Sequence, residues 1–294
     1  MLQRTSADVS AVRKVHMVAA FLYSIAGGML AILATGRIEQ IAWRFLRFVG
    51  FLVLALSCVV LVDTHRAPAS TLPAPFPWTW GLGLALAAAS VVVVFGAPIA
   101  EGHRVTFKLV CGCGGAAGLA AACGTTVTGL SDGTGRAWSF NLATTMVILS
   151  QVLAGLLLGS ITIAWLLGHA YLTATKMTIA PLRHFSRMLS WAVAIRVVFL
   201  LVSLVLACTT ANDASPLHGA TATILTRLEH AWLIVVLRVG VGLAAVGLFA
   251  YMVADCVRLR ATQSATGILY FASVFAYAGE LAGQQLVREL HWPI

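Results

Sequence analysis

The sequence predicts an all-α, polytopic integral membrane protein, a bundle of eight transmembrane helices. Three observations predict it. Of the 294 residues, 60% are hydrophobic and only 10% are charged, whereas soluble chains run near a quarter charged. The mean hydropathy is +0.93. Apolar runs near twenty residues recur along the whole chain, each long enough to cross a bilayer. In lipid such runs must satisfy their own backbone hydrogen bonds, which makes them helices.

The spans follow in order. The first covers about 15–35 and stops at "TGR"; the second, about 45–63, stops at Asp63. A Pro-rich connection, "HRAPASTLPAPFPWTW", brings Trp78 and Trp80 to the membrane interface. The third span is about 79–100, with Pro98 near its end, and the fourth about 105–130, rich in Gly, Ala, Cys and Thr. Gly114 and Gly118 on the fourth, like Gly155 and Gly159 on the fifth, form small-xxx-small pairs that let helices approach closely, here within the bundle. After the turn "SDGTGR" the fifth span covers about 140–168, longer than a bilayer requires and so tilted. The sixth is about 188–210, the seventh about 229–254 and the eighth about 264–288. Together they make residues 1–294 a single transmembrane domain without a convincing internal repeat.

Charge placement sets the orientation. The connections 1–2, 3–4, 5–6 and 7–8 hold ten Lys and Arg, against seven for the other connections and the two tails. The positive-inside rule then puts both termini outside, and in a prokaryote the chain belongs to the inner membrane. The formal charge of +9 is spread through short connections beside anionic head groups rather than gathered as a nucleic-acid surface. The expected contacts are membrane lipids and further subunits of a membrane complex. The connection "GHAYLTATKMTIAPLRHFSRM" reads as an interfacial amphipathic turn, with docking of a soluble partner as the alternative. Six cysteines without Cys-x-x-Cys-His or paired Cys-x-x-Cys spacing argue against covalent haem, iron–sulfur clusters and structural zinc. No cleavable signal peptide is expected in "MLQRTSADVSAVRK".

Charges inside the spans carry the functional expectation. Glu280 lies in the outer half of the eighth helix, where a carboxylate is costly unless satisfied. Arg238 lies at a comparable depth on the seventh helix, joined to the eighth by a short connection, so an Arg238–Glu280 pair is expected. Tyr277, Glu280 and Gln284 share a helix face, and His230 shares one with Arg238. The plainer reading is a structural pair locking two helices. The sharper one is a quinone site, in which Arg238, Tyr277, Gln284 and His230 bind the head group and Glu280 acts as the titratable catalytic group. Histidines at matched depths, His16 with His230 and His103 with His169, are possible axial ligands of a b-type haem, although histidine at helix ends has many structural uses.

The stretches "LRVGVGLAAVGLFAY" and "YAGELAGQQL" resemble the last two helices of the anchor subunits of dimethyl-sulfoxide-reductase-type and NrfD-type complexes. That resemblance implies an eight-helix protein with both termini outside that exchanges electrons between quinol and an iron–sulfur partner, and it does not require haem. The expected function is therefore the membrane subunit of a respiratory redox complex, an enzyme at most as the quinone-binding part of an oxidoreductase. The alternatives are a small-solute transporter or channel and a structural assembly factor. Motifs of intramembrane hydrolases and metal enzymes are missing from the sequence.

Overall fold

A computed structural model describes residues 6–66, 77–99, 102–130, 142–173, 178–212, 232–290 and 292–293. Among them, eight helices are long and apolar enough to cross a membrane. They are α1 (Ser6–Thr35), α2 (Trp43–Arg66), α3 (Pro77–Gly96), α4 (Arg104–Leu130), α5 (Leu142–Thr173), α6 (Ala180–Asn212), α7 (Trp232–Arg258) and α8 (Thr262–Leu290). The chain is an all-α, multi-pass membrane protein.

The helix ends depart from those expected chiefly at three places, the first being the start of α1 at Ser6 rather than near 15. The third helix ends at Gly96 and passes into a 3-10 turn, Ala97–Ile99, because Pro98 lacks the N–H a further α-helical turn needs. The sixth helix starts at Ala180 rather than near 188, so Pro181 to Met188 are helical. Proline is well accommodated in a first helical turn, where its missing N–H has no partner to lose.

The helices pack as two neighbouring four-helix rings. In the first, α1, α2, α3 and α4 contact one another in sequence and α4 closes onto α1; in the second, α5, α6, α7 and α8 do the same. The rings join where α5 meets α1 and α4. With four spans per ring, both rings begin on the same side of the bundle and run in parallel. One apolar core continues through both. Leu30, Leu33, Leu157 and Ile161 lie wholly inside it, while Phe95, Val105, Leu248 and Tyr251 present apolar surface outward, as lipid contact requires.

Small residues make the central contact possible. Gly27 lies against the backbone of Gly118, where a Cβ would come within 2.6 Å of the Leu119 nitrogen. Gly28 meets Gly155 and Gly159 backbone to backbone. The glycine pairs expected on the fourth and fifth helices thus serve packing within the chain, and their common partner is α1. Dispersion and close backbone approach drive such contacts in lipid, where apolar burial alone supplies little. Gln151 reinforces the joint, its Nε2 donating to Ser24 Oγ at 2.6 Å.

Candidate functional site

Whereas the first ring is held by glycines, the second encloses charge. Each of its four helices contributes one group: Ser150 from α5, Arg196 from α6, Arg238 from α7 and Glu280 from α8. Arg196, Arg238 and Glu280 are 3%, 1% and 1% exposed, so bulk water does not solvate them. Their charges must be satisfied by one another.

Local backbone structure places these groups. Leu237–Ala245 of α7 winds as a π-helix, a rare form frequent at functional sites. Arg238 opens this segment. Gly242, further along it, touches Gly279 of α8; a Cβ on Gly242 would stand 2.5 Å from the Gly279 Cα. Gly283 keeps the next turn of α8 open for the Arg238 side chain, and a Cβ there would lie 2.9 Å from Arg238 Nε. Three glycines therefore let a long cationic side chain lie between two helices at minimal separation.

The expected Arg238–Glu280 pair is present, with Nη1 2.8 Å from Oε1. Arg238 Nη1 also donates to the Gly279 carbonyl at 3.3 Å. Arg196 adds a two-pronged contact. Its Nε donates to Glu280 Oε1 at 3.2 Å and its Nη2 to Oε2 at 2.9 Å. Its Nη1 donates to the carbonyl and hydroxyl oxygens of Ser150 at 2.9 and 3.0 Å. This fork geometry is the strong form of an arginine–carboxylate contact. Two guanidiniums around one carboxylate leave a surplus of one positive charge within the ring.

A cavity of about 10 Å³ adjoins the carboxylate, lined by Ser150, Gln151, Arg196, Glu280 and Gln284 among others. That is room for about one water. The buried amide of Gln284 lines it, with neither its nitrogen nor its oxygen hydrogen-bonded within the protein. Arg238 Nε is likewise buried and unbonded. Donor capacity therefore remains around Glu280 after the ion pairs are made.

The other expected site residues are distributed differently. Gln284 stands beside Glu280 as its spacing implies. Tyr277 turns toward α5 instead; its hydroxyl lies 2.9 Å from Thr162 Oγ1 and accepts from Trp165 Nε1 at 3.3 Å. Phe21 meets its ring edge-on. His230 lies outside the described residues. His16 is buried near the start of the α1 span. His103 precedes α4 in an exposed turn, and exposed His169 is engaged through Nδ1 with the Tyr270 hydroxyl at 2.9 Å. Among the described residues, no cluster of three or more His, Cys, Asp or Glu side chains has a metal-binding arrangement.

Arg196 and Ser150 are the site members that spacing did not reveal. α6 and α8 are not consecutive, so nothing local in the sequence sets their register. One signal is available: away from their ends, the expected spans contain two arginines, Arg196 and Arg238, and a single acid, Glu280, and two buried cations must share the one anion. No family model matches the chain, and no curated protein matches it.

Proposed function

We propose that this chain is the membrane subunit of a respiratory redox complex and that its second ring receives a quinone or quinol head group beside Glu280. The observation that carries this reading is the surplus positive charge of the buried Arg196–Glu280–Arg238 group, with the unbonded Gln284 amide and Arg238 Nε next to it. A quinone oxygen accepts hydrogen bonds and gains negative charge as it is reduced. Preorganised donors and cations in a water-poor site favour such a charge. Glu280 is the adjacent titratable group through which a proton can be taken or given. Electrons pass to or from an iron–sulfur partner subunit, as the likeness of the last two helices to quinol-interacting anchors implies.

This role requires an opening motion. Small-molecule sites usually begin near ~300 Å³, far above the water-sized cavity beside Glu280. The π-helical part of α7 packs closely on α8 and only slightly on α6, so separation of that part from α6 disturbs little packing. A titration of purified protein with a short-chain quinone, followed by tryptophan fluorescence, tests the reading. Saturable quenching that is lost in folded Glu280→Gln protein is expected. Absence of saturable binding to the folded native chain refutes it.

One observation favours a second reading. The closed cavity and the mutual satisfaction of the charges suit a clasp that holds α5 to α8 together without binding a ligand. The clasp predicts that Glu280→Gln impairs folding and leaves no separate binding function to lose.

A further inference from the structure

A second cluster of cations lies at the opposite end of the bundle from the chain termini. Arg37 and Gln40, from the connection between α1 and α2, face Arg183, His184 and Arg187 from the first turns of α6 across a cavity of about 260 Å³. Its apolar side is formed by Ala180, Pro181 and Phe185. The cavity is more than twenty times the volume of the one beside Glu280, and it approaches the ~300 Å³ at which small-molecule sites begin.

The fold builds this cavity deliberately. Gly36 lets the chain turn beneath Phe185; a Cβ there would come within 3.0 Å of the Phe185 ring. The 3-10 turn Ile38–Gln40 follows, with Ile38 buried as its anchor. That turn sets Arg37 and Gln40 toward α6. From the other side, Thr35 Oγ1 meets His184 Nε2 at 3.1 Å and fixes the register of the two elements. The start of α6 adds the positive end of a helix dipole, although Pro181 has no N–H to offer and the Arg183 N–H is taken by the Ile179 carbonyl.

Three guanidiniums converge here, and none of Arg37, Arg183 and Arg187 pairs with a carboxylate among the described residues. Glu39, the nearest acid in sequence, instead approaches Arg104 at 3.8 Å. The fields of Arg187, Arg37 and Lys108 all reach His184. Like charges gathered around a concave space repel one another, and a bound anion relieves that repulsion. Arginine forks match tetrahedral phosphate oxygens.

We propose that this cavity binds a phosphate group, through Arg37, Arg183 and Arg187, at the membrane interface. An anionic phospholipid head group and a soluble phosphate compound share that chemistry. A lipid source agrees with the known occupancy of basic pockets between transmembrane helices by anionic head groups.

The test uses the full chain in phosphatidylcholine nanodiscs, with thermal unfolding as the readout. One arm adds phosphatidylglycerol to the nanodisc lipid, and the other adds inorganic pyrophosphate to the buffer. Saturable stabilisation in at least one arm is expected. Stabilisation by phosphatidylglycerol alone identifies the head group; stabilisation by pyrophosphate identifies a soluble phosphate ligand. Arg183→Gln and Arg187→Gln should each raise the half-saturating concentration by ~10-fold, the value of one charge-assisted contact. Arg258→Gln, at the same end of the bundle but off the cavity, should leave it unchanged. Failure of both arms, or an equal response of Arg258→Gln and the cavity variants, overturns the proposal.

Discussion

The three buried charges respond unequally to removal, and the inequality follows from counting. Glu280→Gln keeps the size of the side chain but leaves Arg196 and Arg238 as two uncompensated cations in a ring where both are nearly inaccessible. Breaking a buried ion pair in this way costs ~3–5 kcal/mol. Arg196→Met removes the forked contact and both bonds to Ser150, but Arg238 still neutralises Glu280. Losing those charge-assisted bonds costs ~2–3 kcal/mol. Arg238→Met is the mildest. It loses the single contact to Glu280 and a long bond to Gly279, and it also removes the surplus cation, leaving Arg196 and Glu280 as a neutral pair. A net cost of ~1 kcal/mol or less is expected. Methionine fills the vacated space with a flexible apolar chain, which limits the cavity contribution. Unfolding by sodium dodecyl sulfate in mixed micelles, followed by far-ultraviolet circular dichroism, gives the three values. A loss in Arg238→Met as large as that in Glu280→Gln refutes the charge count and leaves Arg238 as the essential cation.

Glycine contacts supply the next expectation. Gly279→Leu, which drives a side chain into the Gly242 backbone, should prevent correct packing of α7 on α8, whereas Gly267→Ala, with nothing within 4 Å of the new Cβ, should be neutral or stabilise by up to ~1 kcal/mol; the same detergent titration reads both. Arg260 has φ 60° in the tight turn between α7 and α8, a left-handed conformation that costs a side chain ~1 kcal/mol and suits glycine, so Arg260→Gly should stabilise the fold by a similar amount; a loss of stability would show that the arginine side chain outweighs its backbone strain. Topology is checked by Leu2→Cys and Gly133→Cys in membrane vesicles: an impermeant thiol reagent should reach both positions from the outer side, and access from opposite sides contradicts the eight-span arrangement.

Legibility in the sequence depended on chain separation. The Arg238–Glu280 pair could be anticipated because α7 and α8 are joined by only Leu259–Ala261. Residues equally far from such a turn lie at equal depth on antiparallel neighbours. Arg196 had no comparable constraint. Its helix is separated from α8 by the whole of α7 and two connections, and its register against Glu280 is set by packing. The π-helical winding of Leu237–Ala245 was also illegible, since no proline marks it and its two glycines suit an ordinary small-residue contact equally well. The start of α6 is hard to place because Pro181 and three nearby basic residues look like a connection; in the structure Pro181, Arg183 and Arg187 lie in the first turns of a helix and line a cavity. Tyr277 shows the limit of three-and-four spacing. It lies one turn from Glu280, yet its hydroxyl finds partners on α5. Span number and helical class required only length and hydropathy, which is why they were readable throughout.

Photolabelling with an azidoquinone is the direct test of a quinone site in the second ring. The native chain, in lipid nanodiscs, is labelled with increasing reagent, and the modified peptides are mapped by mass spectrometry. Saturable labelling, suppressed by unlabelled quinol, is expected on the α6, α7 and α8 peptides that surround Arg196, Arg238 and Glu280. Label that does not saturate, or that falls on the lipid-facing surfaces of α2 and α3 with those peptides unmodified, contradicts a quinone site in the second ring.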